Sequence, residues 1–403
     1  MSILKLLVCG HVDDGKSTLM GRLLLDSHSL MLDQIEDLKN STRSRGQDGL
    51  NLAYVSDGLK SERDQGITID TAYRFFSTAR RRFILIDAPG HKEYTKNMLS
   101  GATQANAGLL ILDSSRQIEE QSYRHSFLLA FAGVKNLVVC INKMDESLYS
   151  EARFENFKNN FKKYLESLSF ESIYFIPTSG LYGDNIVQAS TQMPWYQGPC
   201  LLNYLEELKI SLPFAEAATF SIQFLREHGG RKWVFGQDKN LALNRGLELC
   251  NSRTGQIHQV EDLHYFQGSL SGPYALGLSD ANYLKRGDEL SLPPIKTSDH
   301  AEGTLFWLSQ NVGSVKKKYL LKTGTREVEV RFDSLTQEPL ADAFQKPSLQ
   351  LILNQVLQAK IRLSEALPYW SRALLIDPQT KESVAAFQFN DKSLIAPAHQ
   401  LAR

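Results

Sequence analysis

The sequence predicts a multidomain protein: an α/β P-loop domain with a mostly parallel sheet, followed by two small β-barrel domains. Three observations carry this. Up to about residue 205, short β-branched runs alternate with amphipathic helical segments, the pattern of a parallel sheet with helices on both faces. From about Ser211 the texture changes to short strands broken by Gly, Asn, Asp and Pro, as in small barrels or sandwiches. Near the start, an apolar strand runs into Gly10-His11-Val12-Asp13-Asp14-Gly15-Lys16-Ser17 and on into a helix, which is the phosphate-binding loop in the context its chemistry needs.

Bulk properties agree. At 403 residues the chain suggests two to four domains, on a prior of one per roughly 100–200 residues. Its 42% hydrophobic and 22% charged residues suit a globular protein rather than a disordered or membrane one. Lys+Arg and Asp+Glu are both 45, so no net field favours nucleic acid or an anionic membrane, and any polyanion contact has to be local. Cys9, Cys140, Cys200 and Cys250 show no Cys-x-x-Cys spacing. That argues against a disulfide or zinc framework and for small buried hydrophobes in a reducing compartment. The chain begins almost directly with a strand, and no stretch approaches the roughly 18 apolar residues that span a bilayer. A cytoplasmic location is expected.

Taken in order, the runs Ile3–Cys9, Arg82–Asp87, Gly108–Asp113, Asn136–Asn142 and Ile173–Pro177 are the expected strands of the first domain, residues 1–208. Thr18–Leu25 is its first helix, and Glu151–Leu168, with Phe, Lys, Glu and Leu at helical spacing, is a packing helix. Ligands of such sheets sit at the carboxyl ends of the strands. Thr219–Leu225 and Trp233–Phe235 are strands of a first barrel, 209–296, and Val328–Phe332 and Ser383–Phe389 of a second, 297–392. The Pro- and charge-rich stretch Leu292–Ala301 places the boundary between them near Lys296, and 393–403 is a C-terminal tail.

The chemistry lies at the strand ends. In the P-loop the glycines let the backbone of Gly10, His11, Val12, Asp13, Asp14 and Gly15 wrap phosphates, and the helix N-terminus at Thr18 adds its partial positive charge. Lys16 reaches the β- and γ-phosphates, and the Ser17 hydroxyl binds Mg2+. Asp87-Ala88-Pro89-Gly90 closes the next strand, where the Asp87 carboxylate holds the magnesium through water and the Gly90 N–H senses the γ-phosphate. His91, directly after it, is placed to orient the attacking water. In Glu62–Asp70, Thr68 has the position to put its hydroxyl on magnesium and its N–H on the γ-phosphate. Asn142-Lys143-Met144-Asp145 ends a later strand, where Asp145 accepts both guanine N1–H and N2–H2 and rejects adenine. Ser179-Gly180-Leu181 follows the last strand, and a backbone N–H there suits guanine O6. Together these read as an α/β P-loop GTPase domain for GTP and Mg2+. Its expected catalytic residues are Lys16, Thr68 and His91, and its metal-binding residues Ser17, Thr68 and Asp87.

GHVDDGKST, SERDQGITID, DAPGHKEYTKNM and NKMD together resemble the translational GTPase superfamily, which includes the elongation factor that delivers aminoacyl-tRNA. Within it, four phrases resemble the large, GTPase subunit of sulfate adenylyltransferase. They are Asp13-Asp14, AYRFFST at Ala72–Thr78, MPWYQGP at Met193–Pro199 and YLLKTGTREV at Tyr319–Val328. The resemblance spans nearly the whole chain and is strongest over the first 200 residues. It implies a separate small subunit, in a heterodimer or higher assembly, that transfers AMP from ATP to sulfate. The products are adenosine 5′-phosphosulfate and pyrophosphate, and GTP hydrolysis drives this uphill step. It also implies that Gly10, Asp13, Gly15, Lys16, Ser17, Thr18, Thr68, Asp87, Gly90, Asn142, Lys143, Asp145 and Ser179 bind nucleotide or magnesium, with His91 assisting hydrolysis.

The chain departs from that family in its first barrel. Phe214–Pro293 keeps Gly236 and Arg286-Gly287-Asp288, but Trp233-Val234-Phe235 stands where the family has a Gly/Ala-rich turn. TLFWL and ALLIDPQT match loosely. No kinase module follows, so phosphorylation of the sulfate adduct is not expected. Two other readings stay open: a translation-factor-like GTPase that binds RNA, and a diverged GTPase subunit driving a different nucleotidyl transfer. Lys316-Lys317-Lys318 reads as a solvated turn; neither nucleic acid nor a membrane is an expected partner.

Overall fold

Strands with an unbroken apolar centre have to be covered on both faces, and two runs in this chain have that character. Ala107–Asp113 and Asn136–Asn142 are buried at every position. The computed structural model of the chain describes residues 2–29, 52, 72–88, 95–210, 219–239, 241, 243–265, 274–292, 297–324, 326–345, 348–368 and 372–390. They fall into two units, Met1–Ser211 with Leu340–Gln345, and Leu212–Pro339 with Lys346–Arg403.

The first unit is built on a six-stranded sheet. Its strands are β1 (Ile3–Gly10), β2 (Ala72–Ser77), β3 (Arg82–Asp87), β4 (Ala107–Asp113), β5 (Asn136–Asn142) and β6 (Ser172–Pro177), in the order β2-β3-β1-β4-β5-β6. All neighbours are parallel except β2 and β3. The register sets Val8 beside Asp87, Gly10 beside Ile111, Asp113 beside Asn142 and Ile141 beside Pro177. The carboxyl ends that carry the motifs are thereby brought to one edge of the sheet.

Strand β2 has no counterpart among the strands expected from apolar runs. It alternates: Phe76 is buried and stacks on Phe83 at 4.5 Å, while Tyr73 and Phe75 face solvent. That pattern suits an edge strand covered on one side. Among the described residues five helices accompany the sheet, α1 (Lys16–Asp26), α2 (Thr95–Ala102), α3 (Glu120–Phe131), α4 (Glu151–Glu166) and α5 (Leu201–Glu207). Helix α1 sends Leu19, Met20, Leu23 and Leu24 into a core shared with Leu4, Leu6 and Val8 of β1. Helix α4 starts where the Ser150 hydroxyl accepts the Arg153 N–H, and it buries Phe154, Phe157, Phe161 and Leu165 along one face. Leu340–Gln345 belongs to this unit because Phe344 packs on Phe127 at 5.4 Å and its carbonyl accepts from Arg124 at 3.0 Å.

The second unit holds two closed six-stranded barrels. The first contains β7 (Thr219–His228), β8 (Arg231–Lys239), β9 (Glu248–Asn251), β10 (Ile257–Tyr265), β11 (Tyr274–Leu278) and β12 (Glu289–Ser291). The second contains β13 (Thr297–Trp307), β14 (Tyr319–Thr323), β15 (Arg326–Gln337), β16 (Val356–Pro368), β17 (Arg372–Ile376) and β18 (Ser383–Phe389). Alternation gives each barrel its core: Phe220, Ile222, Val234 and Leu276 in one, Leu305, Trp307, Leu321 and Phe387 in the other. Gly236 has a steric reason, since a Cβ there would come within 2.2 Å of the Ser221 carbonyl oxygen. Trp233-Val234-Phe235 lies within β8, with Val234 inward, Phe235 stacked on Phe224 at 4.4 Å and Trp233 against His264 at 4.9 Å. The sequence departure in this barrel therefore adds an aromatic layer without interrupting a strand.

Arg81 closes the first unit. It is buried, its Nη1 donates to the carbonyls of Leu205 (2.8 Å) and Leu208 (2.7 Å), and its Nε donates to the Ser2 hydroxyl at 3.0 Å. Those carbonyls end α5 and have no intrahelical donor. Arg81→Ala leaves them desolvated and unpaired, at about 1–3 kcal/mol for each. Urea unfolding of the variant should show a loss of about 3 kcal/mol; a change under about 1 kcal/mol would mean that water replaces the guanidinium at little cost.

Candidate nucleotide-binding site

The loop between β1 and α1 has a conformation few residues tolerate. Gly15 takes φ 86°, and a Cβ on it would meet Asn142 Nδ2 at 2.5 Å. At Gly10 a Cβ would lie 2.5 Å from the Ile111 carbonyl oxygen. Lys16 folds back over the loop, its Nζ donating to the carbonyls of Gly10 (3.1 Å) and His11 (2.8 Å). Burial pulls this ammonium below its ordinary pKa, against the opposing pull of Asp87 and Asp14. The Asp14 carboxylate accepts the His11 N–H at 2.7 Å. Burial nevertheless pushes Asp14 up to about 6, although that bond and the Lys16 charge oppose it.

Asn142 joins three segments. Its Nδ2 donates to the Asp14 carbonyl at 2.9 Å, and its Oδ1 accepts the Gly180 N–H at 2.8 Å. The P-loop and the loop after β6 are thus clamped to the end of β5. Lys143, at φ 58°, places its Nζ 2.8 Å from Asp113 Oδ2 at the end of β4. Burial would raise the Asp113 carboxyl, but the Lys143 ammonium and the Ser115 donors outweigh it and hold the group below the usual carboxylate range. Asp145 is the contrasting acid. Its Oδ1 is buried and has no hydrogen-bond partner. Of the amides nearby, Ser179 N–H donates to the Asp184 carbonyl and Gly180 N–H to Asn142, leaving the Leu181 N–H without an acceptor among the described residues.

The structure brings Gly10–Thr18, Asp87, Asn142–Asp145 and Ser179–Leu181 to one edge of the sheet. Thr68, Gly90 and His91 lie outside the described residues. Ser17 and Thr18 sit half-buried in the first turn of α1, and Asp87 is buried at the end of β3. The His11 side chain is committed elsewhere: Nε2 lies 2.8 Å from Glu119 Oε2 and Nδ1 is 2.8 Å from the Val12 carbonyl. Residues absent from the sequence reading are Asp113, Glu119 and His125. His125 is buried, and desolvation, followed by the charges of Lys16 and Arg124, holds it well below the ordinary histidine pKa. Asp113 carried a signal, an acid closing a buried strand as Asp87 does; Glu119 and His125 carried none.

MPWYQGP also finds its physical role beside this edge. Trp195 Nε1 donates to the Tyr149 carbonyl at 3.0 Å, just beyond Asp145, and Trp195 and Tyr196 pack on Phe154. The segment supports the loop that carries Asp145. In the second unit, Lys317 and Lys318 are ion-paired, with Asp377 at 2.6 Å and Glu329 at 2.7 Å. Two of the three charges of that cluster are thereby committed within the fold.

Residues 1–220 match the family described as elongation factor Tu GTP binding domain. Over 378 residues the chain is 33% identical to sulfate adenylyltransferase subunit 1 of Shewanella woodyi, covering 91% of this chain and 81% of that one. Against the protein of the same name from Buchnera aphidicola it is 36% identical over 395 residues, with 93% and 81% covered. A solved structure of the S. cerevisiae Ski7 GTPase-like domain, bound to GDP and inorganic phosphate, aligns over 96% of this chain and 97% of that one. The TM-score is 0.53 at 16% identity, a likeness of fold.

The raised pKa of Asp14 has a sign that can be measured. Folded, the group holds its proton up to about 6, against the ordinary aspartate value of 3.8. Between those values the folded state binds more protons than the unfolded, so stability falls as pH rises through the window. In the nucleotide-free protein, Asp14→Asn should remove this slope. The stability gap in favour of the variant should open from about pH 4 to 6 and level off at about 2–3 kcal/mol. Parallel melting profiles across that range would show that the carboxylate is hydrated.

Proposed function

Since the chain belongs to the family of sulfate adenylyltransferase subunit 1 and carries an elongation factor Tu GTP binding domain, we propose that it is the GTP-hydrolysing regulatory subunit of a sulfate adenylyltransferase. In this reading it couples GTP hydrolysis to AMP transfer from ATP to sulfate, which a partner small subunit performs in the cytoplasm. The observation that carries the nucleotide assignment is the buried, unpartnered Oδ1 of Asp145 beside the clamped side chain of Asn142. A desolvated carboxylate oxygen without a donor is unfavourable. Guanine N1–H and N2–H2 supply donors; adenine offers none at those positions.

The phosphate end fits Mg2+ in the same way. Among the described residues no group of three or more His, Cys, Asp or Glu side chains gathers to form a metal cage. Magnesium is commonly held by one or two protein groups together with substrate phosphates. Ser17 and Asp87 are the described residues that would hold it, with Thr68 as a third, and it would neutralise the phosphate charge that develops during transfer. Lys16 stands over the loop to take the β- and γ-phosphates once they displace its contacts with the Gly10 and His11 carbonyls. His91 orients the attacking water, and Thr68 and Gly90 are the γ-phosphate-sensitive switch positions.

A subunit whose switches respond to the γ-phosphate does work only when a partner reads them. Alone, this chain should hydrolyse GTP slowly. With the small subunit, ATP and sulfate present, turnover should rise at least tenfold, and the partner should bind the GTP-analogue form more tightly than the GDP form. Linkage then requires that the partner raise affinity for the analogue by the same factor. Turnover indifferent to partner, ATP and sulfate would remove the coupling while leaving the GTPase intact. For the base, Asp145→Asn should cost guanine nucleotides at least a hundredfold in affinity and improve xanthosine nucleotides. Equal weakening of both would place Asp145 in a structural role.

A further inference from the structure

One motif remains unused by the GTP site: Arg286-Gly287-Asp288, on the turn that enters β12. It lines a cleft of about 510 Å3 between the two barrels of the second unit. Among the described residues three carboxylates line this cleft, and each already has its cation. Asp288 is held by Arg253 through Nε at 2.6 Å and Nη2 at 2.8 Å, with further donors from Asn251 Nδ2 and the Lys285 N–H at 3.0 Å each. Glu365 takes Arg326 Nη2 at 3.2 Å, and Glu327 takes Lys322 at 3.0 Å. When these pairs are set aside, the positive charges of Lys285 and Arg286 remain, both on exposed side chains without a partner among the described residues.

A second observation points to a ligand. Arg326 is 8% exposed, and its Nη1 is a buried donor with no acceptor. A guanidinium offers a fork of donors matched to tetrahedral oxyanions, and here the Nη1 arm of that fork is unused beside a cleft that carries two more cations. Gly287, at φ 88°, makes the turn that presents Lys285 and Arg286 on the cleft side of Asp288. The volume lies within the roughly 300–1,000 Å3 of small-molecule sites, and among the described residues its lining is polar and charged apart from Ala366.

We propose that this inter-barrel cleft binds a dianionic tetrahedral oxyanion, either free phosphate or sulfate or the phosphate monoester of a small polar molecule, through Lys285, Arg286 and Arg326. The site is independent of the P-loop and of the reaction that the GTPase serves. It requires that an anion reach Arg326 Nη1 by a modest side-chain rotation, with Arg253 kept on Asp288 as the fixed floor.

The test is isothermal titration of the full chain, saturated with a non-hydrolysable GTP analogue so that the P-loop is filled. The probes are inorganic phosphate, inorganic sulfate and glycerol 3-phosphate. Saturable binding at one site is expected, and Lys285→Ala/Arg286→Ala should weaken it at least tenfold, while melting temperature and affinity for the GTP analogue stay as they were. An ester that binds more tightly than the inorganic ions identifies a small-molecule ester as the ligand, and the reverse order a free anion. No saturable binding by any probe, or binding that the double variant leaves unchanged, overturns the proposal.

Discussion

The nucleotide site depends on one amide side chain. Asn142 ends β5 and gives its donor to the Asp14 carbonyl and its acceptor to the Gly180 N–H. Three loops from three strands become one surface through those two bonds. The arrangement constrains its neighbours. Gly15 has no room for a Cβ because Asn142 Nδ2 occupies the space, and Asp145, three residues on, is held where its buried Oδ1 faces no protein donor. A parallel sheet supplies the rest, since its register places the strand ends side by side.

Charge is handled differently at each end of this surface. Around the phosphate loop, Lys16 and Asp14 are buried and both are shifted toward their neutral forms, a cost that a protein accepts where phosphate binding is to be strong. Beside the Asn142–Asp145 loop, Asp113 is stabilised as a carboxylate by Lys143 and Ser115. The Lys143–Asp113 pair therefore stiffens the support, while Asp145 keeps an acceptor free. His125, kept neutral beside Lys16, adds no further positive charge to the loop.

Much of this was legible in the residues because the signals are local. A β-branched run followed by a turn-forming motif declares a strand and its end, so the strands expected over Ile3–Cys9 and Asn136–Asn142 correspond to the observed Ile3–Gly10 and Asn136–Asn142. Other features depend on partners distant in sequence. Strand β2 is half-exposed and joins the sheet by pairing antiparallel with β3, where Phe76 stacks on Phe83. Leu340–Gln345 packs with Arg124 and Phe127, a contact no local pattern announces. Glu119 is an ordinary acid until His11 turns toward it. MPWYQGP carries a family resemblance in its residues, whereas its contact, a tryptophan donor on the Tyr149 carbonyl, joins segments far apart in sequence.

The two barrels show the same division. Their alternating cores were predictable, but the aromatic layer of Phe224, Phe235 and Trp233 and the charge arithmetic of the inter-barrel cleft arise from strand pairing. The account as a whole rests on Asn142 coupling the phosphate loop to the base loop, and amide hydrogen exchange on nucleotide-free Asn142→Ala tests that directly. Exchange should accelerate together at Asp14–Lys16 and at Ser179–Tyr182, with β1 and β6 unchanged. Acceleration confined to one of the two loops, or in neither, would contradict the coupling.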